Sequence, residues 1–375
     1  MWQSEGNPIR WLERPEIDFR WEVSAAPTRA MWEAMQSVSI GMADFGEDAA
    51  VNELEALGAE LTGHEAAFLV PTVTSGTVLS LLSGAPRGTV VLMEERCHLY
   101  WVEELHVSYI CGATPRLVRG DKFGAISIEA LEEAFAHQYY GHPSRISLVA
   151  LENTHNICGG TLLTPGYMDE VSAFCRDRGA RLYVDGARIF NAAVALGVPA
   201  SELTRQADFV VVGLNKGLGA PFGSLLCGSA EFVAEARVNC RRLGSMGMHK
   251  AGIYAAACLV GLRTMVDRLA DDQRRARELA EAVAQVPGLA VDLETVQTNL
   301  VRVDVTEPGV TAQDVALGLG ERGIAVHSFE RTAFKFALHF EIDDDDVARA
   351  IEETTDVMRS LAAAEAGVAR PVGSR

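Results

Sequence analysis

Val210-Val211-Val212-Gly213-Leu214-Asn215-Lys216-Gly217-Leu218-Gly219-Ala220-Pro221-Phe222-Gly223 is an apolar run that breaks into a glycine-rich loop around a single lysine. A four-carbon ammonium stem between glycines, directly after a strand-like segment, packs poorly but presents an amine well. Where the surroundings desolvate such an amine, its pKa falls and it becomes a nucleophile toward a carbonyl. Taken alone, the window equally fits a surface lysine in a turn. The sequence on either side decides between the two.

That sequence repeats one pattern. Apolar segments at residues 66–70, 89–93, 146–151, 181–184, 209–213 and 224–227 predict short strands, and residues 28–38, 48–61, 78–82, 127–137 and 165–178 predict helices. Short apolar strands alternating with helices define an α/β protein with a large, mostly parallel sheet covered on both faces. Helices are expected at 231–241 and 251–283, the second long enough to link two parts of the chain. Beyond Pro287 come strands at 289–293, 299–303, 325–327 and 334–339 with helices at 311–322 and 343–363, a small C-terminal α+β domain. The expected organisation is an N-terminal arm over 1–25, a large domain over 26–260, the small domain over 261–366 and a loose tail over 367–375. The arm carries Trp2 and Trp11, large apolar groups suited to a neighbour such as another subunit.

Composition narrows the function. The 375 residues are 48% hydrophobic and 22% charged, enough for a large core. Lys and Arg number 33 against 51 Asp and Glu, a net charge of -18, which leaves no basic excess for nucleic acid or an anionic membrane. The seven cysteines are scattered with no CxxC pair, and read as reduced thiols of a cytoplasmic protein. No apolar run approaches the roughly 18 residues of a membrane span, and the polar start MWQSEGNPIRWLERPE lacks the apolar core of a signal peptide. The acidic run Asp343-Asp344-Asp345-Asp346 opens a helix, where it suits the dipole better than a metal; no metal site is expected.

Three expected strand ends carry the polar chemistry. Asp185-Gly186-Ala187-Arg188 follows one, Glu152-Asn153-Thr154-His155-Asn156 another, and Asn215-Lys216 a third. A parallel sheet gathers such residues at one rim. An aspartate after a buried strand is costly unless it meets a cation or strong donor, which a protonated pyridine nitrogen would provide. A Schiff-base lysine, an aspartate for the pyridinium and a strand-to-helix phosphate cradle are the minimum set for pyridoxal 5'-phosphate.

Longer matches accompany these: Phe45-Gly46-Glu47-Asp48 with Asn52-Glu53-Leu54-Glu55, Gly63-His64-Glu65-Ala66-Ala67, Leu151-Glu152-Asn153-Thr154-His155-Asn156 with Gly159-Gly160-Thr161, Asp185-Gly186-Ala187-Arg188-Ile189-Phe190-Asn191-Ala192, and Lys216-Gly217-Leu218-Gly219-Ala220-Pro221. Together, from Ile17 to about Asp346, the chain resembles the threonine aldolase and β-eliminating lyase family of fold-type I (aspartate aminotransferase-like) pyridoxal phosphate enzymes. The resemblance implies that Lys216 forms the Schiff base and Asp185 keeps the pyridine nitrogen protonated. It implies that His98 stacks on the ring, that Arg188 pairs with the substrate's α-carboxylate, and that His155, or a water it holds, is the base for the β-oxygen.

Departures from the family pattern fall on two sides. At the phosphate, the family's Ser-Gly-Thr lands on Thr72-Val73-Thr74, and its Met-Arg-Gln on Met248-His249-Lys250. Near the substrate carboxylate, Arg-Ser-Asp is Arg20-Trp21-Glu22, the second arginine is Lys335, a Gly-Gly pair is Leu105-His106, and the serine before the Schiff-base lysine is Asn215. The implied activity is a lyase that cleaves or forms the Cα–Cβ bond of a β-hydroxy-α-amino acid, giving glycine or a related amino acid and an aldehyde. The alternatives are β-elimination or transaldol transfer on a different substrate. A binding subunit without catalysis is disfavoured, because a buried lysine and aspartate are costly without a partner. The resemblance further implies a homodimer or homotetramer, with Phe45-Gly46-Glu47-Asp48 and His249 as the places where a second chain contributes.

Overall fold

The computed structural model describes residues 15–136, 145–244 and 248–368. Trp2, Trp11, His137 and the tail from 369 lie outside the described residues. In chain order the strands are β1 (Ile17–Asp18), β2 (Ala66–Val70), β3 (Val90–Glu94), β4 (Thr114–Val118), β5 (Ile146–Glu152), β6 (Arg181–Gly186), β7 (Phe209–Gly213), β8 (Ser224–Gly228), β9 (Leu289–Ala290), β10 (Leu300–Val305), β11 (Ile324–Ala325), β12 (His327–Glu330) and β13 (Ala333–Ala337). They belong to two compact units, one spanning Ala26–Leu269 and the other combining the described residues up to Ala25 with those from Ala270 onward.

The first unit is built on a seven-stranded sheet of order β2-β8-β7-β6-β5-β3-β4. The strands β3 to β7 run parallel, and β8 lies antiparallel between β7 and β2. Residues of β3, β5 and β7 are buried throughout, as strands covered on both faces must be. One face packs Val91, Met93, Leu148, Ala150, Tyr183, Phe209, Val211 and Leu226 against the helices Val73–Gly84 and Ala230–Arg242. Register fixes what stands beyond this core: Glu152 pairs with Asp185, Asp185 with Val211, and Gly213 with Ser224.

Helix starts follow from local chemistry. Asp48 caps Ala49–Thr62 through the amide of Val51, and Thr164 caps Pro165–Asp177 with proline in the first turn. Thr72 and Ser75 close a capping box on Val73–Gly84, so this helix begins five residues before the apolar run at 78–82 from which it was expected. One further expectation is corrected. Residues 251–283 form two helices, Gly252–Thr264 and Leu269–Val283, because the chain turns to bury Leu269 completely. The edge strand β4, with Pro115 and half-exposed Arg116, has no apolar run to announce it.

The second unit holds an antiparallel sheet of order β12-β13-β10-β9 and a parallel pair of β1 with β11. Its core packs Phe334, Phe336 and Val301 with Leu279, Val315 and Leu319 of its helices.

One glycine shows how tightly the first unit is packed. A Cβ on Gly84 would stand 2.2 Å from Cζ of Phe209, whose ring stacks on Phe232 at 4.3 Å. Replacing a helical glycine by alanine ordinarily gains about 1 kcal/mol, whereas overpacking a filled core costs about 1–3 kcal/mol. Gly84→Ala is therefore expected to lower the midpoint of urea unfolding; an unchanged or higher midpoint would contradict this packing.

Candidate active site

The carboxyl ends of the parallel strands bring the expected chemistry together. Asp185 closes β6 and is buried, its carboxylate accepting the Ala187 amide at 3.0 Å. Burial, then the charge of Glu152, push its carboxyl up to about 6, against the pull of His98 and Lys216. Lys216 follows β7 in a turn closed by the Gly219 amide on the Lys216 carbonyl, with Gly219 at a φ of 72°. Two glycines let this loop sit close to the loop after β6. A Cβ on Gly213 would lie 2.5 Å from the carbonyl oxygen of Ala187, and one on Gly217 would lie 3.4 Å from Oδ1 of Asn191. Arg188 is buried at the start of the helix Ile189–Leu196, in the same loop as Asp185.

His98 opens the short helix His98–Trp101. Its amide donates to Oε2 of Glu152 at 2.7 Å, and its Nδ1 lies 3.4 Å from Oε1 of Glu103, an ion pair at the long end of hydrogen-bonding range. Burial opposes the imidazolium, but Glu103, Asp185 and Glu152 outweigh it and raise its pKa. Glu103 also accepts the Thr74 hydroxyl at 2.8 Å and lies 4.0 Å from Nδ1 of His106.

His155 is buried, with Nε2 at 3.0 Å from Oε2 of Glu94 and 4.0 Å from Oε2 of Glu152, while Nδ1 accepts the Cys158 amide at 3.3 Å. Burial works against its charge, but Glu152, Cys158 and Glu94 raise its pKa to about 10. The reciprocal pull of His155 and Arg96 overcomes burial and lowers the carboxyl of Glu94.

At the phosphate side, Val73 enters the helix without the left-handed φ that would demand glycine; among described non-glycine residues only Lys250 has a positive φ. The first-turn amides of Val73 and Thr74 have no intrahelical acceptor and face out of the helix N-terminus. The Thr74 hydroxyl, expected on the phosphate, is turned to Glu103. His249 lies in the turn before Gly252–Thr264, where a Cβ on Gly252 would meet the Asp48 carboxylate at 2.4 Å. Trp21 and Lys335 belong to the second unit. There the Trp21 ring lies 4.9 Å from that of His327, Lys335 pairs across the sheet with His327 and Arg302, and Arg20 makes a bidentate pair with Asp18 at 2.9 and 2.7 Å.

These residues fit pyridoxal phosphate. A buried carboxylate whose proton affinity is raised calls for a cationic partner, which a pyridinium supplies. Ser224, which shares Asp185's face of the sheet by register and opens β8 beside Gly213, keeps a buried Oγ without a hydrogen-bond partner among the described residues. An amine, a carboxylate and a capped helix N-terminus on one rim are the donor set that this cofactor needs.

Comparison with known proteins agrees. Solved structures of threonine aldolase from Leishmania major (TM-score 0.78, 16% identity, covering 91% of this chain and 99% of that one) and of alanine–glyoxylate aminotransferase from Nostoc sp. (0.71, 18%, 94% and 97%) share the fold. The architecture is that of fold-type I pyridoxal phosphate enzymes. The profile of the Beta-eliminating lyase family matches residues 18–306. Low-specificity L-threonine aldolase 1 of Arabidopsis thaliana is 35% identical over 335 residues, 88% of this chain and 93% of that protein. The low specificity L-threonine aldolase of Escherichia coli (strain K12) is 35% identical over 296 residues, 79% and 86%. The chain belongs to the threonine aldolase and β-eliminating lyase family, and is a pyridoxal phosphate-dependent lyase.

Two carboxylates escaped the reading of the sequence as parts of the site, Glu94 and Glu103. Glu94 ends an apolar strand in the way that singled out Asp185 and Glu152, so the signal was present. Because Glu103 raises the pKa of His98, Glu103→Gln is expected to lower it, and the imidazolium is then lost at lower pH. A histidine proton titration of the apoenzyme by NMR checks this; a His98 titration that stays in place contradicts the pairing.

Proposed function

We propose that the protein is an aldehyde-lyase that opens the Cα–Cβ bond of a β-hydroxy-α-amino acid, releasing glycine or a related amino acid and an aldehyde. The observation that carries this reading is the gathering of Lys216, Asp185, His98, Arg188 and His155 at adjoining strand ends of one sheet, together with the similarity to L-threonine aldolases. When bound, pyridoxal phosphate supplies a conjugated ring that accepts the electron pair released at Cα. Lys216 would hold it covalently, Asp185 would keep its ring nitrogen protonated, His98 would lie against its ring, and the Thr72–Val73–Thr74 turn would take its phosphate at the helix N-terminus.

Arg188 takes the substrate's α-carboxylate with a planar fork. His155 exchanges the proton of the β-oxygen, directly or through a water. Asp185 is expected to matter electrostatically: Asp185→Asn should lower kcat by about 10²–10³-fold, the scale of losing one preorganised charge. The roles given to Trp21, Lys335 and His249 rest on the resemblance alone.

We further infer a homo-oligomer, dimer or tetramer, in a cytoplasmic setting. In the first unit Phe45, Leu105 and Tyr109 are 76%, 68% and 85% exposed, apolar surface of a kind that subunit contacts cover. Among the described residues no helix is long and apolar enough to cross a membrane. The seven cysteines are buried thiols.

Purified holoenzyme incubated with a panel of β-hydroxy amino acids should release glycine or its homologue and an aldehyde. Release of ammonia and a keto acid without aldehyde would instead assign β-elimination. Borohydride reduction should fix a pyridoxyl group on the wild type and none on Lys216→Ala; equal labelling of the variant would remove Lys216 from its role.

A further inference from the structure

The surroundings of His155 contain a feature that the proposed reaction does not by itself require. Glu94, at the end of β3, is buried, and its Oε2 stands 3.0 Å from Nε2 of His155. Its own position is fixed from two sides: the Arg96 amide donates to Oε2 at 2.6 Å, and the Arg96 guanidinium Nε donates to Oε1 at 3.1 Å. On the other side of the ring, Nδ1 accepts the Cys158 amide, so a donor rather than an acceptor faces it. The two nitrogens are thus distinguished by their partners. In the neutral ring the proton therefore belongs on Nε2 and the lone pair on Nδ1.

Space for this pair is cut by two glycines in the loop after β4. A Cβ on Gly124 would fall 2.3 Å from Cδ2 of His155, and one on Gly120 would fall 2.7 Å from Cγ of Glu94. Gly124 also adopts a φ of 82°, which a side chain would resist. The loop is folded by Asp121, whose carboxylate accepts the amides of Phe123 and Ala125. It is tied to both partners: Arg96 donates to the Asp121 carbonyl, and Thr161, whose carbonyl accepts the His155 amide, donates its hydroxyl to Phe123. Three loops at the rim therefore cooperate to hold one carboxylate against one imidazole.

We propose that Glu94 is a positioning residue for His155: its carboxylate holds a proton on Nε2 and, opposite the Cys158 amide at Nδ1, fixes the tautomer and orientation of the ring. The logic is that of a carboxylate fixing the tautomer of a catalytic imidazole, with the two ring nitrogens in exchanged roles. The charged groups facing the ring are Glu94 from β3, Glu152 at the end of its own strand, and Arg96 behind Glu94, with the Cys158 thiol beside it. Glu152 in turn interacts with His98 and Asp185. The link to β-oxygen chemistry rests on the proposed aldol cleavage; the state of the ring does not.

The test is ¹⁵N NMR of the histidine side chains in the apoenzyme, with His155 assigned by the signal missing from His155→Asn. Wild type should show a protonated Nε2 and a non-protonated Nδ1 in the neutral ring. Glu94→Gln keeps an acceptor but removes the charge, so the Nε2–H tautomer should persist while proton affinity at Nδ1 falls at least about tenfold, one pH unit. Glu94→Leu leaves the Nε2 proton without an acceptor and should lower the His155 pKa further than Glu94→Gln does. Should either variant fail to fold, Arg96→Gln leaves Glu94 in place without its competing cation and should raise the His155 pKa.

In the holoenzyme, the ascending limb of kcat against pH should move down with Glu94→Gln while KM changes little. An Nδ1–H tautomer in wild type, or a His155 titration indifferent to all three variants, would overturn the proposal. Because the NMR readout needs neither cofactor nor substrate, it can succeed even if the aldol assay fails, and the reverse.

Discussion

A concentration of buried negative charge at one rim of the large sheet is the constraint on which the rest of this structure depends. Glu94, Glu103, Glu152 and Asp185 are all buried there. An isolated buried carboxylate would neutralise by taking a proton, or unfold its surroundings. The fold answers with a set of donors and cations. His98 and His155 share Glu152, Arg96 and His155 share Glu94, Thr74 and His98 share Glu103, and Lys216 faces Asp185. The balance differs from one carboxylate to the next. Glu94 and Glu152 are driven below the ordinary carboxylate range, whereas Asp185 is pushed above it. Asp185 is thus the group whose charge most needs one more cation, which a pyridinium would supply.

The same electrostatics explain why the histidines differ. Both gain proton affinity from carboxylates despite burial, but His155 has both ring nitrogens engaged, by Glu94 and by the Cys158 amide. His98 is held through its backbone amide by Glu152 and through Nδ1 by Glu103. The two rings are thus fixed in different ways, His155 through both nitrogens and His98 through its backbone amide and Nδ1. His327 in the second unit shows the opposite case. Burial, Lys335 and Arg20 lower its pKa to about 4, so it is neutral at physiological pH.

Much of this arrangement was legible in the sequence, for identifiable reasons. The apolar runs ending at Leu151, Val184 and Gly213 have no helical alternative at their lengths, and a parallel sheet must place Glu152, Asp185 and Lys216 on one rim. Less legible was whatever depends on contacts between loops distant in sequence. Glu94 acquires its role only when the loop carrying Gly120 and Gly124 brings it against a histidine 61 residues further on. The edge strand β4 was missed because proline and half-exposed polar residues interrupt its pattern. The break near residue 265 was missed because helix propensity continues across it, and only burial of Leu269 turns the chain. The valine in the phosphate turn looked like an obstacle in one dimension; a helix starting at Val73 with Thr72 as its cap accommodates it.

The central claim is that the buried charge of Asp185 is completed by a protonated cofactor nitrogen. Enzyme reconstituted with pyridoxal phosphate labelled with ¹⁵N in the ring reports this directly by NMR. The account predicts a protonated ring nitrogen in the wild type at neutral pH and an unprotonated one in Asp185→Ala. An unprotonated nitrogen in the wild type, or one that stays protonated without Asp185, would contradict it.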